Sequence, residues 1–139
     1  ARLFADGRSD IAGVVLVDPM PVGFPDVLDR ETSAAGHPPW ADLDAAVSTA
    51  LNDFGAKPLV IIGHDPAAVF LTSRFTEAFG AESGRAINAY WQDSLEFYAG
   101  LSTDSRTVVA PRTGLEMIVW DRPDLVVEEV LGVLGLASG

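Results

Sequence analysis

At 139 residues the chain has the length of one domain, and with 48% of its residues apolar it is excluded from the disordered class. Nine Lys and Arg against twenty Asp and Glu give a formal charge of −11. That balance argues against nucleic acid and against an anionic membrane surface as partners, because both are bound through clustered cations.

In chain order, Ala1 to Ala5 reads as the middle of an amphipathic helix without a capping residue. Gly13 to Val17 is an apolar run without alternation, as expected of a strand covered on both faces. A long Pro- and Gly-rich linker follows from Asp18 to Trp40. Leu43, Val47, Leu51 and Phe54 then recur on one face of a helix over about Ala41 to Phe54. Pro58 to Ile62 predicts a second buried strand. The stretch from His64 to Ser83 reads as a second long linker, helical in part. Ile87, Trp91, Leu95 and Tyr98 mark a helix between Gly84 and Leu101. Arg106 to Ala110 predicts the third strand. Val126, Val130, Val133 and Leu134 mark the last helix, with Pro123 in its first turn, where a missing N–H costs nothing. The order βαβαβα predicts an α/β fold over residues 1–139: a single truncated three-layer domain, with three parallel strands, few for this architecture, joined by crossover helices.

With no cysteine in the chain, disulfides, cysteine–zinc sites and thiol catalysis are excluded. No apolar run reaches the roughly 18 residues of a membrane span and no signal-peptide pattern is present, so a soluble, more readily cytoplasmic than secreted protein is expected. Two histidines and scattered acids give no metal-ligand spacing. Neither a Walker-type loop nor G-x-G-x-x-G occurs, so no nucleotide or other cofactor is implied.

Ala1 to Ala5 followed by Ile11-Ala12-Gly13-Val14-Val15-Leu16-Val17-Asp18-Pro19 resembles the nucleophile helix and sixth strand of the α/β-hydrolase superfamily. Pro58 to Asp65 is similar to the seventh strand with its acid-bearing turn. Ser105 to Ala110, continuing to Asp121-Arg122-Pro123-Asp124-Leu125-Val126-Val127, is similar to the eighth strand, histidine loop and final helix. The resemblance covers nearly all of this chain but only the later part of the family's domain.

What the resemblance implies is a catalytic set with two parts missing. No G-x-S-x-G nucleophile elbow occurs. The histidine loop reads Thr113-Gly114-Leu115, and leucine accepts no proton. The acid falls at Asp18, after the first strand, or at Asp65, after the second. Each precedes a proline and reads equally well as a turn-capping aspartate. His64 is a candidate for a displaced base or for binding. It is not expected to pair with Asp65, because neighbours on extended chain point apart. Met20, Phe24 and Val27 lie where the family inserts its lid. Trp40, Trp91 and Trp120 are candidates for lining an apolar pocket or for plain core.

Two functions follow as expectations. One is a non-catalytic hydrolase-like remnant or binding module for a small apolar ligand. The other is the carboxy-terminal piece of a working hydrolase acting on an ester or similar apolar substrate. The first strand would be an edge apolar on both faces, which natural sheets avoid. Self-association, as a dimer, or an amino-terminal half is therefore expected to cover it.

Overall fold

The computed structural model describes residues 10–19, 54–115 and 117–135. Within them lie β1 (Val14–Val17), β2 (Leu59–Gly63), a 3-10 turn (Pro66–Ala68), α1 (Ser73–Phe79), α2 (Ala81–Ala99), β3 (Ser105–Val109), α3 (Ile118–Asp121) and α4 (Pro123–Val133). The three strands form one parallel sheet in the order β1-β2-β3, with Val14 beside Leu59 and Leu59 beside Ser105. The predicted α/β architecture is therefore present, each strand within one residue of its expected place. The helix expected over Ala41 to Phe54 lies outside the described residues except for Phe54, which is buried and non-helical.

Alternation along the strands sorts the core into two layers. Val14, Leu16, Leu59 and Ile61 face α2 and pack with Ile87, Trp91, Leu95 and Tyr98. Val60 and Ile62 face the other way, with Val15, Val17 and Val108, and pack under Ile118, Leu125, Val126 and Val133. β2 is buried at all five positions, which is why its sequence shows no polar alternation. At roughly 1.5–3 kcal/mol for each large apolar side chain fully buried, this central strand is the main source of the sheet's stability.

α2 begins three residues before the periodicity places it, at Ala81. Gly80, with φ of 91°, separates it from α1, whose end has no Cβ to accommodate there. α1 itself is capped by Thr72, whose hydroxyl accepts from the Phe75 N–H. α4 departs from the expected face. Leu125, Val126, Glu129 and Val133 point toward the sheet, while Val130 and Leu134 are 38% and 50% exposed. The reason is Glu129: buried, it takes a place on the inner face, held by the two terminal guanidinium nitrogens of Arg106 on β3.

Candidate functional site

Asp18 and His64 are brought together because adjacent parallel strands end level with one another. Val17 pairs with Ile62, and the Asp18 N–H still donates to the Ile62 carbonyl at 2.7 Å. Asp18 then leaves the strand with φ of 45°, a left-handed conformation that Asp adopts more readily than most residues. One residue beyond β2, His64 meets it: Nδ1 lies 2.6 Å from Asp18 Oδ1. An ionised carboxylate only accepts, so the proton is assigned to Nδ1, and in the neutral ring Nε2 keeps its lone pair.

His64 is fully buried, and the Asp18 side chain is 8% exposed. The imidazole lies against Trp91, ring centroids 4.3 Å apart and tilted by 38°, and meets Phe70 edge-on at 5.5 Å. Trp91 can come this close because Gly63 precedes the histidine. A Cβ at Gly63 would fall 2.6 Å from Trp91 Cζ2. Nε2 is buried and has no hydrogen-bond partner. A structural histidine normally satisfies both nitrogens, and leaving one unpaired costs about 1–3 kcal/mol.

Asp65, the other candidate acid, sits at the same end of the sheet but does different work. One carboxylate oxygen accepts from the Ala67 N–H and caps the 3-10 turn; the other accepts from the Arg112 N–H, both at 2.9 Å. The Asp65 N–H in turn donates to the Thr113 carbonyl at 3.1 Å. Asp65 thus ties the loop after β2 to the loop after β3. It does not pair with His64, as adjacent residues on extended chain predict.

The other site residues divide. Met20 and Phe24 lie outside the described residues, as do Val27 and Trp40. Trp120 is 77% exposed on the short α3, which corrects its reading as core. Trp91 is core, and it is also the platform for His64. Leu115, where the resemblance would put a histidine, is 40% exposed. It borders an open groove of about 480 Å³ with Val69, Arg74, Phe75, Phe79 and Gly114.

The pairing of Asp18 with His64 was missed in the sequence, where His64 was weighed only against its neighbour Asp65. The available signal was that both residues end apolar runs of equal character, so parallel pairing in register would juxtapose them. No group of three or more acids and histidines able to hold a metal occurs among the described residues, and no helix there is long and apolar enough to cross a membrane. No family model, curated protein or solved structure matches the chain.

Proposed function

We propose that this chain is an α/β-hydrolase-like module that is not catalytic by itself, with Asp18 and His64 as an acid–base pair that has no nucleophile to serve. Three features support the reading. The sheet is parallel in the order β1-β2-β3, with α2 and α4 on opposite faces. The acid and the histidine leave the carboxyl ends of neighbouring strands, where open α/β sheets place their chemistry. Leu115 stands in the loop where the resemblance calls for the base.

The observation that carries the proposal is the enclosure of His64. A general base has to come within about 2.6–3.2 Å of the proton it removes. Here no hydroxyl reaches Nε2, and Trp91, Phe70 and Asp18 surround the ring. The same enclosure leaves the groove beside Leu115 as the place for a small apolar ligand.

The test is hydrolysis of p-nitrophenyl butyrate by the purified chain. No saturable turnover above a heat-treated control is expected, since a complete acyl-transfer site contributes roughly six or more powers of ten and stray residues do not assemble one. Saturable hydrolysis abolished by replacing a single serine would overturn the proposal.

One observation favours a second reading, in which the chain is a piece of a working hydrolase completed by further strands. Nε2 is buried with no partner, the state expected of an atom reserved for a proton from elsewhere. In an active longer chain or reconstituted complex, His64→Gln should then lower kcat by about 10²- to 10⁴-fold. Substitution of Leu115 should leave kcat unchanged. Turnover indifferent to His64 would remove this reading.

A further inference from the structure

The groove beside Leu115 is walled on one side by the chain after β2 and by α1, and on the other by the loop after β3. Asp65 sets the spacing of the two walls. Its carboxylate accepts from the Ala67 and Arg112 N–H groups, and its own N–H donates to the Thr113 carbonyl. The groove is therefore held open by hydrogen bonds within the fold, and its volume of about 480 Å³ suits a small molecule.

The lining is apolar almost throughout. Val69, Phe75, Phe79 and Leu115 supply the large side chains, and the small ones are alanine and glycine. Phe79 and Leu115 are exposed, so a guest covers apolar surface that the fold itself leaves in water.

Two polar side chains complete the lining, and they differ. Thr72 is engaged by the chain: its hydroxyl donates to the Val69 carbonyl at 3.0 Å and accepts from the Phe75 N–H at 3.2 Å. Arg74 is not engaged. The ion pairs of the described residues join His64 to Asp18, Arg106 to Glu129 and Arg122 to Asp124, and they leave Arg74 out. Glu77, the acid nearest to it in sequence, is outside the lining. Nor does α1 gain from this arginine, because a cation in the first turn opposes the helix dipole.

We propose that the groove takes an amphipathic carboxylate, its apolar body against Phe75, Phe79 and Leu115 and its head group on Arg74. The proposal rests on the groove as the place for a small apolar ligand and adds the head group. One guanidinium matches one carboxylate, two N–H groups against two oxygens. The net charge of −11 repels an anion at long range. That field is screened beyond about 8 Å at physiological salt, whereas the contact with Arg74 is direct.

Calorimetric titration of the 139-residue chain with octanoate, octanol and octylammonium, alike except in the head group, tests this. Methyl NMR shifts of Val69 and Leu115 report where each probe sits. Octanoate should bind with Kd on the order of 0.1–1 mM. Octanol should bind about fivefold more weakly, the range of an exposed ion pair, and octylammonium more weakly still. Arg74→Gln should bring octanoate down to the level of octanol and leave octanol unchanged. Leu115→Ser should weaken both severalfold. Equal affinity for octanoate and octanol, preference for octylammonium, or indifference to Arg74→Gln overturns the carboxylate and leaves the apolar groove standing. If no probe binds, or none shifts the Val69 and Leu115 methyls, the groove as a ligand site falls as well.

Discussion

At the scale of single residues, the Asp18–His64 contact concentrates both the energetic risk and the chemical interest of the molecule. Asp18→Ala would leave Nδ1 as well as Nε2 without a partner in a buried ring and should destabilise by about 1–3 kcal/mol. Asp18→Asn keeps an acceptor oxygen and the tolerance for positive φ, so it should lose less. Urea unfolding midpoints of the two variants give the comparison; an Asp18→Ala chain as stable as the parent would mean that the carboxylate does not hold the ring. Gly63 is the second sensitive position. A methyl group there would strike Trp91, which is 1% exposed and has nowhere to go. Gly63→Ala is expected to cost about 1–3 kcal/mol by overpacking. Combining it with Trp91→Phe should cost less than the sum of the two single changes, a coupling that a double-mutant cycle reads directly.

At the scale of elements, β3 is attached to α4 chiefly through charge. β3 has four of its five residues exposed and contributes little apolar surface, so Arg106 and Glu129 carry much of the contact. Glu129 is 5% exposed but Arg106 is 55% exposed, so the pair is half solvated. Removing one partner of a fully buried pair costs about 3–5 kcal/mol. With this degree of exposure, about 1–2 kcal/mol is the expected loss for Arg106→Leu. The double replacement Arg106→Leu, Glu129→Leu should recover most of it, because the stranded carboxylate is gone; thermal unfolding that ranks the double variant below Arg106→Leu would contradict this. The Arg122–Asp124 pair at the start of α4 is a different case. The hydrogen bond from Arg122 holds the Asp124 carboxyl below its ordinary value, with the guanidinium charge adding to it. Stability from a lowered carboxyl is present above its unfolded value and fades as pH falls through the folded one. Asp124 is exposed and Arg122 only partly covered, so unfolding midpoints of Asp124→Asn should match the parent at neutral pH.

At the scale of the whole molecule, stability should grade outward from β2. It is the one described strand paired on both edges and buried on both faces. Amide exchange of Val60 to Ile62 should be the slowest in the chain, with β3 faster. Uniform protection across the three strands would show that the sheet opens as one unit. Much of this organisation was legible in the sequence. Val14 to Val17 and Leu59 to Ile62 announce doubly covered strands by lacking alternation, and Ile87, Trp91, Leu95 and Tyr98 announce the face of α2. These signals are local, set by the periods of strand and helix, so the chain determines them without reference to distant residues. The same locality explains the absences that were readable, no cysteine and no nucleophile elbow. What only the tertiary structure decided is pairwise. Asp18 and His64 are 46 positions apart and meet because two parallel strands end level, which neither strand's own pattern specifies. Asp65, equally plausible as an acid, is claimed by the backbone of Ala67 and Arg112. Val130 and Leu134 were displaced from the core by Glu129, since a buried carboxylate follows its arginine and helical periodicity yields to it.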